Sequence, residues 1–506
     1  METAPAPPAS TIDVTNPATG EVVEAVELFH PDQVPAAAAR ARAAQVAWAA
    51  APWRDRAAVI SRFHDRILRD ADLVIETIRS ESGKTHRDAL MELMTVAGTA
   101  RYYLAHGRRH LAEHRGSAGV PFVTSARTAW RPHGLIGLIT PWNFPFILGV
   151  ADALPALLAG NAVLTKPSEL TPRSTLLARE LLVDCGLDPA LFQPLVGSGG
   201  DLGAPIIDAV DYVGFTGSTA VGRIVAERAA SRLIPCSLEL GGKNPMLVLP
   251  GARVQDAVSG LVSGAFVNAG QTCISIERAY VHESIWDEFV AEARSRVERL
   301  EVGWSQEWDP DLGSLSSVTQ AERVRAHVRD AVDAGATLLA GTPDGSHALG
   351  DAFVTPTLLT DTTEAMAIHA EETFGPVVRL ERVASESEAI AKANASDLGL
   401  NASVWAGSRR AAMRVARQLE VGTVNINSTL LIYGSFSVPM GGIRRSGIGR
   451  RHGASGIQRY CRQLSIVGSF GRGGGIDGLI GVTNTHARAR RLIALLRLWR
   501  RIPGLR

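Results

Sequence analysis

An α/β architecture of two units, each carrying a mainly parallel sheet, is predicted by three observations. The chain has 506 residues, more than one hydrophobic core usually serves. Between about residues 130 and 250, short β-branched runs alternate with helical segments, the pattern of a parallel sheet with crossover helices. The same alternation resumes after about residue 250, which predicts a second α/β unit.

In chain order, the first 114 residues read as helical from residue 31 onward, because Val59, Ile60, Phe63, Ile67 and Leu68 recur at three- and four-residue steps. Strands are predicted at "GLIGLIT", "NAVLTKP", "DYVGFTG" and "NPMLVLP", with helices at "RSTLLARELLVDCG" and "STAVGRIVAERAAS" between them. The second unit reads as helical at "VQDAVSGLVSGAFVNAG" and "IWDEFVAEARSRVERL", with strands at "RAYVHE", "GLNASVWAG" and "GTVNIN". The Gly-rich "GSFGRGGGIDG" at 468–478 reads as a hinge before a separate tail.

Composition narrows the function classes. A net charge of +1 gives no global reason to expect nucleic acid. Cys185, Cys236, Cys273 and Cys461 are widely spaced, so neither a disulfide framework nor a structural zinc site is indicated, and a reducing cytoplasm fits best. The opening "METAPAPPAS" lacks the order of a signal peptide and reads as a short disordered leader. No uninterrupted apolar run reaches the roughly 18 residues that a membrane span needs.

Five short motifs can carry chemistry, and each also has a plain structural reading. Asn143 in "PWNFP" is either part of a rigid turn or an amide donor to a developing oxyanion. Gly217 and Ser218 in "FTGSTAVG" mark a strand-to-helix turn, which is also where backbone N–H groups meet a phosphate. Lys166 and Glu169 in "TKPSE" close a strand, where open α/β sheets bind ligands, or are solvated surface. Glu239 lies inside the apolar strand "LELGGKNP", and a carboxyl there is either a bonded anchor or a base with a shifted pKa. Cys273 in "NAGQTC" is either a packed thiol or a nucleophile. Taken together, an oxyanion donor, a dinucleotide cradle, a base and a thiol are the parts of one covalent reaction.

These motifs, with "EETFGP" and "PMGG...SGIGR" following in order, resemble the NAD(P)-dependent aldehyde dehydrogenase superfamily from residue 16 to about 470. Stretches such as "GLNASVWAGS" are similar to members named succinate-semialdehyde dehydrogenase. The resemblance implies a Rossmann-type cofactor domain (1–118 and 132–241), an α/β catalytic domain (242–455) and a β-hairpin oligomerisation arm (119–131 and 456–470), followed by a basic tail (471–506). A homodimer or homotetramer is expected from it. It further implies Cys273 as nucleophile, Glu239 as general base, and Asn143 with the Cys273 N–H as oxyanion donors. Lys166 and Glu169 would hold the adenosine ribose, Gly217 and Ser218 the pyrophosphate, and Glu372 with Phe374 the nicotinamide ribose and ring. Trp142, Ser168, Phe215 and Leu240 complete the expected cofactor contacts. Glu169 would repel a 2′-phosphate, which favours NAD, while Ser168 beside Lys166 keeps NADP open. No metal is expected.

Two departures qualify the resemblance. Where semialdehyde enzymes place arginines for a substrate carboxylate, this chain has Ala151 and Val267, and neither can pair a carboxylate. With Phe144, Ile147, Ile432, Tyr433, Phe436 and Met440 they predict an apolar tunnel for a hydrophobic aldehyde, with succinate semialdehyde as the alternative substrate should Arg444 or another cation reach in. The second departure is the tail, "HARARRLIALLRLWRRIPGLR", a basic amphipathic helix between 485 and 502. It predicts either peripheral contact with the inner face of a membrane or docking on protein. A binding protein without catalysis on the same fold, or one recruited to a membrane chiefly by this tail, is the remaining alternative.

Overall fold

The computed structural model describes residues 10–117, 124–305, 310–470 and 485–499. The chain divides into a larger unit, residues 1–110 and 132–461, and a smaller one, residues 111–131 and 462–506. The smaller unit shares the bound at 131 with the expected arm and differs from it in beginning at 111 and resuming at 462. Residues 456–461 fold with the larger unit because helix Gly453–Gln458 buries Gly453, Gly456 and Ile457, with the Tyr103 hydroxyl donating to the Gly453 carbonyl. Part of the expected arm, 119–123, and most of the expected hinge, 471–478, lie outside the described residues.

The larger unit holds both expected α/β sheets. The first has six strands in the order Gly447–Ile448, Cys236–Glu239, Tyr212–Thr216, Leu135–Ile139, Ala162–Lys166, Phe192–Pro194. All are parallel except the first pair. Its central strands are buried on both faces, which explains their unbroken apolar sequence. One short strand, Gly447–Ile448, comes from the part of the chain expected to belong wholly to the second unit.

The second sheet has seven strands in the order Thr337–Ala340, Thr357–Thr360, Val377–Val383, Ile276–His282, Asn244–Val248, Asn401–Trp405, Thr423–Ile426. Only Thr337–Ala340 runs antiparallel to its neighbour. Each strand expected from the sequence is present. So are the expected helices Trp53–Arg69, Arg173–Asp184, Thr219–Ser231, Val254–Phe266 and Trp286–Val297. In Trp53–Arg69, Val59, Ile60, Phe63 and Ile67 are buried, whereas Leu68 faces outward.

The smaller unit contains a three-stranded sheet in the order Cys461–Ser469, Thr124–Pro132, His114–Gly116. Its strand Cys461–Ser469 leaves Leu464, Ile466 and Val467 exposed. The tail forms a helix over His486–Trp499. The side chains of Leu492, Leu495, Leu496, Leu498 and Trp499, on which the membrane expectation rests, lie outside those described, as does Ile502. Among the described residues, no helix is long and apolar enough to cross a membrane.

The local feature that sets the position of Cys273 is a left-handed turn. Helix Val254–Phe266 stops, and Asn268, Ala269 and Gly270 follow with φ of 53°, 51° and 73°. Asn and Gly adopt this conformation readily, but Ala does so only under tertiary constraint. At Gly270 the constraint is visible, since a Cβ there would sit 2.0 Å from the Gly375 carbonyl oxygen. Gly270→Ala is therefore expected to cost more than the roughly 1–3 kcal/mol of a left-handed non-Gly residue, read as a lowered denaturation midpoint. A midpoint equal to that of the unaltered protein would show that this turn does not constrain the loop.

Candidate active site

The first sheet presents its C-terminal strand ends, and the second its N-terminal ones, to a single cavity. From the first come Trp142 and Asn143 beyond Ile139, Gly217 and Ser218 beyond Thr216, and Glu239. From the second come Cys273, just before strand Ile276–His282, and Glu372 and Phe374, just before Val377–Val383. Leu240, Phe144, Ile147, Ala151, Tyr433 and Met440 also line the cavity. Residues distant in sequence thus converge where open α/β sheets bind ligands.

Not every expected residue reaches the cavity wall. Ile432 is buried beneath it with Ile274, Leu400 and Met440. Phe436 instead covers Gly98, where a Cβ would meet its ring at 2.4 Å. Val267 ends the helix at the left-handed turn and is not in the wall. Lys166, Ser168, Glu169 and Phe215 lie outside it as well. Lys166 Nζ bonds Glu169 Oε2 at 2.9 Å, so that carboxylate already has a cation. The Phe215 ring packs where a Gly217 Cβ would stand, at 2.6 Å, so it shapes the glycine turn from beneath.

Two buried ion pairs, neither anticipated from the sequence, hold the loops that carry the site. Lys84 Nζ bonds Glu92 Oε1 at 2.6 Å and the Asn143 carbonyl at 2.8 Å, while Glu92 Oε2 accepts the Phe146 and Ile147 amides at 2.9 and 3.0 Å. Asn268 Nδ2 donates to the same Asn143 carbonyl at 2.9 Å, which links the Asn143 turn to the turn before Cys273. On the other side, Lys243 Nζ bonds Glu277 Oε2 at 2.6 Å, and Glu277 Oε1 accepts the Thr373 and Phe374 amides at 3.1 and 3.0 Å. The one sequence signal was the charged pair Glu277 and Arg278 in the strand-like "ISIERAYV", charges that burial obliges to be partnered.

Against these saturated pairs, the candidate reactive groups are under-bonded. Glu239 Oε1 and Asn143 Oδ1 are buried without a hydrogen-bond partner. Asn143 Nδ2 gives one hydrogen to the Gln271 carbonyl at 2.9 Å and retains its second. Burial pushes the Glu239 carboxyl up to about 7, against the pull of Arg451 and Arg459. Burial likewise pushes the Cys273 thiol up to about 11, with Arg451 opposing and Glu239 adding to the rise. Tyr433 and Cys273 pack against the same small apolar cluster, and the Tyr433 ring lies 6.1 Å from that of Phe144. Thiol and carboxyl in one enclosed space, the latter poised near neutrality, suit nucleophilic attack followed by general-base hydrolysis.

The cofactor end of the cavity is also built to fit. Ser218 caps helix Thr219–Ser231, accepting from the Val221 amide at 3.3 Å, so amides are presented as an anion site. Glu372 Oε1 accepts the Gly242 amide at 2.9 Å, and a Cβ on Gly241 would stand 2.2 Å from Glu372 Oε2. Only glycine lets that carboxyl lie there. Trp142 and Phe374 meet edge to face at 5.6 Å beside it.

The family model described as "Aldehyde dehydrogenase family" matches residues 5–466. The chain belongs to the aldehyde dehydrogenase family. It is 41% identical over 490 residues, 96% of this chain and 93% of the relative, to a putative succinate-semialdehyde dehydrogenase [NADP(+)] of Mycolicibacterium smegmatis. It is 39% identical to the 4,4'-diapolycopene aldehyde oxidase of a Methylomonas species, across 90% of this chain and 85% of that one. The NAD+ complex of an aldehyde dehydrogenase from Bacillus cereus superposes with a TM-score of 0.87 at 31% identity, covering 91% of this chain and 94% of that one. This protein is accordingly an NAD(P)-dependent oxidoreductase acting on aldehydes.

If the Lys84–Glu92 pair holds the Asn143 turn, Lys84→Met strands a buried carboxyl and is expected to destabilise the protein by about 3–5 kcal/mol. Removing both charges with Lys84→Met and Glu92→Leu should recover part of that loss. Chemical denaturation of the three variants measures it, and a Lys84→Met loss under about 1 kcal/mol would contradict the assignment.

Proposed function

We propose that Cys273 is the nucleophile, Asn143 the oxyanion donor and Glu239 the general base of aldehyde oxidation to the carboxylic acid. The observation that carries the reading is the convergence of a thiol, a free amide hydrogen and a carboxyl poised near 7 in one cavity. The thiol, raised by burial, passes its proton to Glu239 as its sulfur attacks the aldehyde carbon. The second Asn143 Nδ2 hydrogen and the Cys273 N–H then meet the new oxyanion, each such donor being worth about 3–4 kcal/mol in an enclosed site. Bound NAD(P) supplies the hydride acceptor. Loss of hydride leaves a thioester on Cys273; Glu239, having released the thiol's proton to solvent, then takes a proton from the water that attacks the thioester and returns it to the departing Cys273 sulfur, freeing the acid.

Gly217, Ser218, Leu240, Glu372, Phe374 and Trp142 form the nearer cofactor contacts in this reading, with Lys166, Ser168 and Glu169 at the adenosine end. The pairing of Glu169 with Lys166 lowers its repulsion of a 2′-phosphate, and the smegmatis relative carries NADP in its name. Both cofactors are accepted in this reading, with Glu169 biasing the choice toward NAD. The two sheets correspond to a cofactor domain (132–241, with the N-terminal helices) and a catalytic domain (from 242). The exposed apolar strand Cys461–Ser469 serves assembly into a homodimer or homotetramer, since such an edge needs covering.

The substrate is a hydrophobic aldehyde. Phe144, Ile147, Leu148, Ala151 and Met440 give the cavity an apolar stretch of wall, and one relative is named a 4,4'-diapolycopene aldehyde oxidase. Arg444 is bound to the Asn394 and Ser396 carbonyls and to Glu420, away from the wall. The competing reading, succinate semialdehyde, is favoured by the name of the smegmatis relative and by Arg451 and Arg459, cations that do line this cavity. A kcat/KM comparison of octanal, benzaldehyde and succinate semialdehyde, each with NAD and with NADP, separates them. The apolar pair should win by about tenfold or more, the scale of a few buried methylenes. A win for succinate semialdehyde would overturn the substrate class, and no reduced cofactor with any aldehyde would overturn the catalytic roles.

A further inference from the structure

Behind Glu239 lies a buried charge cluster that the catalytic reading does not use. Asp152 Oδ2 bonds Arg451 Nη2 at 2.8 Å, and Asp152 Oδ1 bonds Arg459 Nη2 at 2.6 Å. All three residues line the same cavity as Glu239 and Cys273. Two guanidiniums against one carboxylate leave one positive charge without a partner inside the protein. Such a charge is costly unless it is matched.

The geometry puts that surplus over Glu239. Arg451 Nη2 also donates to Thr216 Oγ1 at 2.7 Å, and Thr216 is the cross-strand partner of Glu239 in the parallel pairing. Arg459 leans toward Ser237, two residues before Glu239 and on the same face of that strand. The Arg451 backbone exchanges both hydrogen bonds with Met440, and at the adjoining Gly441 a Cβ would lie 3.1 Å from Glu239 Oε1. Glu239 Oε1 and Arg451 Nε are both buried and without hydrogen-bond partners.

We propose that the Arg451–Asp152–Arg459 cluster supplies the single positive charge that holds Glu239 in its carboxylate form, with Arg451 as the positioning residue. The inference rests on Glu239 being the base. The four buried groups are neutral together only when Glu239 is ionised, so the cluster works against the burial that favours its protonated form. The other groups facing Glu239 do not replace this charge. His452, pushed down to about 4 by burial and by Arg451, is neutral at working pH. Arg450, half-buried and bound to the Gly442 and Gly449 carbonyls, stays charged and pulls on Glu239 less than Arg451 and Arg459 do. Tyr212, Tyr433, Tyr460 and Cys273 are all raised by burial and uncharged, and Glu372, raised to about 8 by burial, is bonded to the Gly242 amide.

The test is the pH dependence of deacylation of the intact enzyme after acetylation by p-nitrophenyl acetate, for single and double variants. Deacylation of the unaltered enzyme should rise with pH through the Glu239 ionisation and then level. Arg451→Met, which removes the surplus charge, should move that limb about one to two pH units higher. Asp152→Asn, which enlarges the surplus, should move it lower. The Arg451→Met/Asp152→Asn pair, which keeps one surplus charge on Arg459, should return it close to the starting position, as should Arg451→Lys. Should Arg451→Met not fold, Asp152→Asn and the double variant still decide. Single variants that shift the limb in the same direction, or not at all, would overturn the proposal. A limb that survives Glu239→Gln would instead overturn the assignment of Glu239 as base.

Discussion

Enclosing charge away from water dominates this structure. A buried carboxylate or ammonium is tolerable only when its partners are in place, and Glu92, Glu277, Lys84 and Lys243 are bonded to one another and to backbone groups of the two loops that meet at the cavity. Each pair ties its loop to the frame through backbone amides as well as through charge. Among the polar atoms left without a partner at the cavity are Glu239 Oε1 and Asn143 Oδ1. Stability and reactivity thus come from the same constraint, satisfied in the frame and left open at the site.

The sheet arrangement makes this possible. One parallel sheet offers strand C-termini, where glycine turns and helix amides present N–H groups. The other offers N-termini, where the chain arrives from a helix end or an extended loop. A nucleophile placed on the second side and a base on the first can be held in register only if both edges are rigid. The left-handed turn at 268–270 provides that on the Cys273 side, tied to the Asn143 carbonyl through Asn268.

Much of this was legible in the sequence, for reasons that differ by element. Strands such as "GLIGLIT" and "NAVLTKP" were visible because burial on both faces leaves no polar alternation. Cys273, Glu239 and Asn143 were visible as polar residues in apolar or proline-framed settings. Lys84 with Glu92, and Asp152 with Arg451 and Arg459, were not, because those pairings are made by tertiary approach and leave no local spacing to read. The same holds for Ile432 and Phe436, whose apolar character matched a tunnel wall but whose packing beneath it and over Gly98 depends on distant backbone. Ala151 lies in the cavity wall, while Val267 is taken up by the turn that precedes Cys273.

The division of labour between thiol and carboxyl is the central claim, and trapping the intermediate tests it most directly. Glu239→Gln enzyme mixed with octanal and NAD, quenched within its first turnover and digested, can be read by peptide mass spectrometry. An octanoyl group is expected on Cys273, formed in step with one equivalent of reduced cofactor but more slowly than in the unaltered enzyme, for want of the group that takes the thiol proton, and lost far more slowly still. An acyl group on another residue, no acyl group despite cofactor reduction, or turnover as fast as in the unaltered enzyme would contradict that division of labour.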